Sequence, residues 1–279
     1  MPELPEVETI ARRVHEHLRG DRIVEVWFGS HTSPFKTTPA QQAAGLEGRT
    51  ILAVHRVGKH IVCDLGGRKS SGHSQNPQAQ WIVHLGMTGR LLVTTPAGPV
   101  APHTHARLTL ASGRELRFVD PRRFGRLEFR ELSQDLAFEG PGSEPLTIAP
   151  EEFAELFRGR RLAIKAALMN QTLLHGVGNI YADESLFRAG IRPRRMAGRL
   201  KRVELIRLHA AIQEVLRHAI ELGGSSVSDY VDADGVRGFF QLEHRVYLRT
   251  GQPCLVCGTP IRRILLAGRG THFCPVCQR

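Results

Sequence analysis

Four cysteines near the C-terminal end constrain the fold of this chain more than any other feature. Cys254-x2-Cys257 and Cys274-x2-Cys277 are separated by sixteen residues. Each Cys-x2-Cys turn can present two thiolates to one ion, and this spacing is that of a four-cysteine zinc site. A pair of redox-active motifs is the alternative. In a reducing compartment the spacing favours zinc. Four thiolates leave no open coordination position, so the Zn²⁺ is expected to be structural and not catalytic. The residues between the pairs run IRRILL, AGRG, THF, which reads as strand, turn, strand. Arg269 lies between Gly268 and Gly270, and flanking glycines let a backbone approach a ligand closely. A metal-stiffened hairpin carrying Arg269 at its tip suits a phosphate; an ordinary surface arginine is the plainer reading.

The compartment follows from what the N-terminus lacks. MPELPEVETI holds three glutamates and no cationic stretch ahead of an apolar run, so it does not read as a signal peptide. No apolar run approaches the roughly 20 residues of a membrane span. A cytoplasmic protein is expected, where cysteines serve as metal ligands and Cys63 is the spare. Lys plus Arg number 38 against 27 Asp plus Glu, a formal net charge of +11. Such an excess favours a polyanionic partner, because basic side chains release counterions when they meet phosphates. A protein that is merely basic is the alternative.

Periodicity divides the chain. Val7, Ile10, Val14 and Leu18 mark one face of a first helix that Pro5 opens and Gly20 ends. Short β-rich runs follow at Ile23–Phe28, Thr50–Val57, His60–Leu65, Trp81–Leu85, Arg90–Thr94, Ala106–Leu110, Glu115–Val119 and Gly125–Arg130. Many short strands separated by turns predict a sandwich or barrel. Gly66–Gln80 has little to bury and reads as a flexible hairpin tip. Gly140–Pro145 reads as a linker. Beyond Pro150 the pattern is helical: Glu151–Arg158, Leu162–Gln171, Asn179–Arg188 and Lys201–Leu222, the last stopped by Gly223-Gly224.

Pro2 follows Met1, and a small second residue permits removal of the initiator methionine. That would expose a secondary amine. With an α-amine pKa near 7.7–8.0, roughly a quarter to two-fifths of it is neutral at pH 7.5. Such an amine can attack a sugar C1′ and form an iminium that keeps its positive charge without protonation. Glu3 and Glu6 stand beside it, where general acid–base chemistry wants a carboxyl group. From these residues alone, Pro2 as an ordinary residue and Glu6 and Glu8 as helix N-terminal charges is the simpler reading.

MPELPEVETI, VGKHIV, HLGMTG, HTHAR, DPRRFG, MNQTLLHGVGNIYADESLFRAGIRP, GSSVSDYVDADGVRGFFQ and the cysteine hairpin together resemble the formamidopyrimidine-DNA glycosylases, bacterial enzymes for 8-oxoguanine and ring-opened purines. The resemblance runs over nearly the whole chain. It implies Pro2 as nucleophile, Glu3 as the acid that helps open the deoxyribose, Glu6 as support, and Lys59 and Arg269 as catalytic, phosphate-contacting residues. It implies DNA contacts from His84, from His103 in preference to His105, from Asn179, and from Arg160 and Lys165. Met87, Arg122 and Phe124 would enter the duplex where the damaged nucleotide has left, although core packing is the plainer reading of an isolated Met or Phe. Gly224–Gln241 would close over the flipped purine. Two departures stand out: Gly66–Gln80 is longer than the family's hairpin, and Leu248 occupies a position where glycine is common.

The expected architecture is α+β and multidomain. Residues 1–140 form a catalytic β-sandwich with flanking helices, 150–240 a helix–two-turn–helix DNA-binding domain, and 245–279 a zinc β-hairpin. DNA is expected in a basic cleft between the two halves. The expected function is a monomeric bifunctional glycosylase and abasic-site lyase of base excision repair. It would act on double-stranded DNA carrying an oxidised purine or abasic site, and would associate with the bacterial nucleoid when bound. The rivals are an oxidised-pyrimidine glycosylase of the same superfamily and a non-catalytic zinc-ribbon DNA-binding protein; a decayed, damage-sensing paralogue is a third reading.

Overall fold

The computed structural model describes residues 1–31, 35–68, 76–227 and 230–279. They form two compact units, Met1–Glu139 with Gly223–Gly238, and Gly140–Leu222 with Phe239–Arg279.

The first unit opens with α1 (Leu4–Leu18). Glu3 is its N-cap and Pro5 lies in the first turn, where a missing N–H costs nothing. Val7, Ile10, Val14 and Leu18 are fully buried along one stripe. Eight strands follow: β1 (Ile23–Phe28), β2 (Ile51–Val57), β3 (His60–Leu65), β4 (Ala79–His84), β5 (Arg90–Thr94), β6 (Thr104–Leu110), β7 (Glu115–Val119) and β8 (Arg126–Glu131). They make two four-stranded antiparallel sheets, ordered β1-β6-β7-β5 and β2-β3-β4-β8. Side chains of both sheets and of α1 share one core, built on Trp81, Phe118 and Leu91. Tyr230 and Ala233, from the returning segment 223–238, belong to that core as well.

Two expectations need correction here. A second helix, α2 (Pro39–Leu46), has no counterpart in the sequence reading. Thr38 caps it and Gln41 closes a capping box, but PAQQAAGL is too poor in large apolar residues to show a face. Of the stretch read as a hairpin tip, residues 69–75 lie outside the described ones. Ala79 and Gln80, which close that stretch, are buried in β4; Gln80 donates to Asp64 at 2.8 Å and accepts from the Phe138 N–H at 2.7 Å.

The second unit holds α3 (Pro150–Glu155), α4 (Ile164–Leu168), α5 (Asn179–Arg188), α6 (Arg202–Glu221) and the hairpin β9 (Arg262–Leu266) with β10 (Arg269–Phe273). α4 is half the expected length. The Asn170 side chain accepts from the Thr172 N–H at 3.0 Å and so turns the chain instead of continuing the helix. The expected linker Gly140–Pro145 is a packed strap: Ser143 bridges to Leu174, and a Cβ at Gly140 would meet the His175 ring at 1.8 Å. No described helix is long and apolar enough to cross a membrane.

Candidate active site and DNA-contacting surfaces

The N-terminal proline and its glutamates sit where α1 begins. Pro2 and Glu3 are buried, Glu3 at 3% exposure. The Glu6 carboxylate accepts from the Glu3 N–H at 2.7 Å with one oxygen and from the Ser225 N–H at 2.7 Å with the other. Glu6 thus ties the Pro2–Glu3 segment to the returning loop. Gly224 makes this possible. Its φ is +83°, and a Cβ there would stand 2.9 Å from the Glu6 carboxylate. The Tyr230 hydroxyl lies 3.3 Å from the Glu6 carbonyl oxygen and 3.1 Å from that of Gly223; burial and the nearby Glu6 charge push its pKa up. Residues 228–229 of the expected closing loop lie outside the described ones.

Lys59 follows Gly58 in the two-residue turn between β2 and β3, where Val57 pairs with His60 and Gly58 takes φ +60°. It is 9% exposed, against the solvent-facing lysine that a lone turn position suggests. His84 ends β4, and its Nδ1 accepts from the Gly86 N–H at 3.1 Å. Of the two histidines in HTHAR, His105 is buried and its Nε2 lies 3.0 Å from the Asp120 carbonyl oxygen, whereas His103 is exposed at φ +65°. Of the two, only His103 is exposed.

Met87 and Phe124 are 41% and 48% exposed, so core packing is excluded for both. The Arg122 guanidinium stacks over the Phe124 ring at 4.9 Å. The two loops are fastened by Asp120, which sequence reasoning missed. One of its carboxylate oxygens accepts from the Thr88 hydroxyl at 2.6 Å, the other from the Gly125 N–H at 2.8 Å. A Cβ at Gly86 would strike the Phe124 backbone at 2.5 Å, so the loops are in direct contact. DPRRFG does contain Asp120, but nothing local says that its side chain turns inward to zero exposure.

In the second unit Gln171 knits the turn ahead of α5, donating to the carbonyls of Met169 at 2.8 Å and Val177 at 2.9 Å and accepting from the Gly176 N–H at 2.9 Å. Asn179 then opens α5, half-buried, with its Oδ1 unpaired and the helix N–H groups beside it. A helix N-terminus of this kind favours an anion. Arg160 is half-buried and its Nε donates to the Leu156 carbonyl.

Lys165 is the clear departure from expectation. It is 1% exposed, and its ammonium meets Asp183 at 2.8 Å, the Thr271 hydroxyl at 2.8 Å and the Gly270 carbonyl at 3.0 Å. It cannot touch DNA from there; it holds the zinc hairpin on α5. Asp183 also accepts from the His272 N–H at 2.8 Å. Arg269 is exposed and starts β10, one residue past the expected tip, because Ala267 and Gly268 form the turn with φ +47° and +73°.

The four cysteine sulfurs lie within 4.8 Å of one another, with Cys254–Cys277 at 3.9 Å and Cys257–Cys274 at 3.5 Å. Zn–S bonds of about 2.3 Å in a tetrahedron require sulfur edges of about 3.8 Å. The donor set therefore fits one structural zinc ion. The hairpin's own core is small, with Phe187, Val246 and Ile261 buried beside Cys254 and Cys274, so the metal is needed to hold it.

Comparison with known proteins agrees with this geometry. Residues 1–127 match the formamidopyrimidine-DNA glycosylase N-terminal domain, 140–231 that family's H2TH domain, and 251–279 the zinc finger found in FPG and IleRS. A formamidopyrimidine-DNA glycosylase of Solibacter usitatus is 48% identical, with 100% of each chain covered. The MutM (FPG) protein of Thermus thermophilus superposes with a TM-score of 0.83 at 42% identity, over 99% of this chain and 98% of that one. The Lactococcus lactis Fpg, solved with abasic-site DNA, gives 0.88 at 35% identity over 99% of each. The chain belongs to the formamidopyrimidine-DNA glycosylase family.

Proposed function

We propose that this glycosylase of base excision repair removes oxidised purines with Pro2 as nucleophile and then cuts the strand as an abasic-site lyase. The observation that carries this reading is the buried Pro2–Glu3 pair, fastened through Glu6 to both the helix start and Ser225. Once Met1 is removed, the Pro2 nitrogen attacks C1′ of the flipped nucleotide and the bond from C1′ to the base breaks. Glu3 gives its proton to the ring oxygen, which opens the sugar. The cationic iminium draws electrons from C2′. Loss of a C2′ proton expels the 3′ phosphate, and a second elimination expels the 5′ phosphate, leaving a one-nucleotide gap.

The other roles follow from the same reading. Lys59, His84, His103, Asn179, Arg160 and Arg269 hold the DNA backbone, at the nucleoid. Flipping a base costs a few kcal/mol, and Met87, Arg122 and Phe124 offset part of that by filling the vacated space. Cys254, Cys257, Cys274 and Cys277 hold the zinc ion, which stiffens the hairpin that presents Arg269.

Purine preference is part of the proposal. The Lactococcus lactis relative has been solved with an N7-benzyl-Fapy-dG-containing DNA and also with an oxidised-pyrimidine-containing DNA. Excision of 8-oxoguanine opposite cytosine is expected to outpace excision of thymine glycol, and the reverse order overturns the purine assignment. Borohydride should trap a covalent adduct between processed protein and an 8-oxoguanine duplex. Intact mass spectrometry would show the loss of Met1. Processed protein that nicks the lesion without ever yielding an adduct refutes Pro2 as nucleophile.

A further inference from the structure

His84 is the middle of a row. In the register of the β2-β3-β4-β8 sheet it faces His60 on one side and Arg126 on the other. The row continues no carboxylate partner for Arg126 among the described residues; that guanidinium donates only to backbone, at 2.7 Å to the Gly125 carbonyl. Like charges directly opposite each other in a sheet destabilise it. The histidines answer by staying neutral: burial foremost, then neighbouring cationic and imidazole groups, holds both at about 4. Their rings lie 4.8 Å apart, and Phe138 packs against His60 at 4.7 Å. Because His84 Nδ1 accepts from Gly86, its proton is on Nε2, which makes that atom a donor.

These side chains line a cavity of about 170 Å³ together with Lys36, Ile82 and Glu128. Glu128 is already engaged by Lys36 at 3.2 Å and Arg130 at 2.6 Å. The cavity is therefore rich in donors. Lys36 reaches it because its backbone is tied to β8 through Leu127, at 2.9 Å.

We propose that His60, Arg126 and Lys36 form a second phosphate subsite beside His84, which takes a neighbouring phosphodiester of the same DNA strand. The inference rests on the reading of His84 as a backbone contact. It makes Arg126 a charged contact, and this fixes what its removal does to salt dependence. Removing a cation that meets a phosphate lowers the slope of log K against log salt by about 0.9, whereas removing a neutral donor leaves it unchanged.

The test is equilibrium binding, by anisotropy, of a duplex with a stable abasic-site analogue between 50 and 300 mM salt, concentrations on the order used to resolve such slopes. Arg126→Ala is expected to weaken binding roughly tenfold, as for one charge-assisted hydrogen bond, and to lower the slope by about 0.9. Arg107→Ala removes an equal charge from β6, where that guanidinium stacks on Trp27 at 4.9 Å, and should leave the slope alone. A single neutral methylphosphonate, moved along the strand, should abolish the Arg126→Ala effect at one position only. An unchanged slope in folded Arg126→Ala, or an effect that no methylphosphonate removes, overturns the subsite. Failure of trapping in the unmodified protein would instead strike the catalytic reading and leave this result standing.

Discussion

Replacing Lys165 with methionine separates the structure most sharply from what the family resemblance implies about this residue. The ammonium and the Asp183 carboxylate are 1% and 0% exposed and 2.8 Å apart. Two of the lysine's N–H donors have acceptors in the hairpin that carries Arg269, and its charge faces the Asp183 carboxylate. Removing one partner of a buried pair costs about 3–5 kcal/mol, because the other charge remains in a medium that cannot solvate it. The lower end applies here, about 3 kcal/mol, since Asp183 keeps the backbone and ring nitrogens of His272 at 2.8 and 3.2 Å. With a urea dependence of about 2 kcal/mol per molar, the midpoint for the second unit should fall by roughly 1.5 M. The assay is urea unfolding of zinc-saturated protein, followed by the change in hairpin signal. Lys165→Met with Asp183→Asn should recover about 1 kcal/mol or more of the loss, because no unpaired charge is then buried. A Lys165→Met protein that unfolds at the original midpoint, yet binds DNA with a slope lower by about 0.9, would refute the buried pair and return Lys165 to the DNA.

Gly224→Ala places a methyl group 2.9 Å from the Glu6 carboxylate at a φ of +83°, and should slow borohydride trapping by roughly 100-fold through displacement of the Glu3 segment; a normal trapping rate would show that Glu6 does not position it. Asp120→Asn cannot satisfy the Thr88 and Gly125 donors together and should cost about 1–3 kcal/mol of stability, measured by thermal unfolding, with weaker lesion binding. Leu248 holds φ +59°, so Leu248→Gly should stabilise the protein by about 0.5–1 kcal/mol, the strain relieved less the entropy that glycine loses; a lower Tm contradicts this. His60 and His84 are held near 4 in the folded protein against an ordinary value of 6.5. The unfolded chain therefore takes up more protons between these values, and stability should fall as pH drops from about 6.5 to 4. His60→Phe should flatten that decline in a pH series of unfolding midpoints. Removal of zinc by a chelator should strip hydrogen-exchange protection from residues 262–273 and abolish specific DNA binding, and retention of that protection would deny the metal its structural role.

The sequence alone determined the elements whose signal is local. The cysteine spacing announced the zinc hairpin, the stripe Val7, Ile10, Val14, Leu18 announced α1, and short β-rich runs between turns announced all eight sandwich strands to within a few residues. The catalytic and DNA-contacting candidates came from motifs, not from periodicity, and for Met87 and Phe124 the plainer reading was wrong: both are exposed. Tertiary structure alone decided which polar groups are buried and whom they meet. It turned Lys165 from a surface cation into an internal clamp, chose His103 over His105 as the exposed ring, joined Glu6 to Ser225 across 219 positions of chain, and made Asp120 the fastening of two loops. The reason is physical. A helix or strand is selected by neighbours a few residues away, whereas the desolvation of a charge and the partner that compensates it are set by distant segments meeting in space.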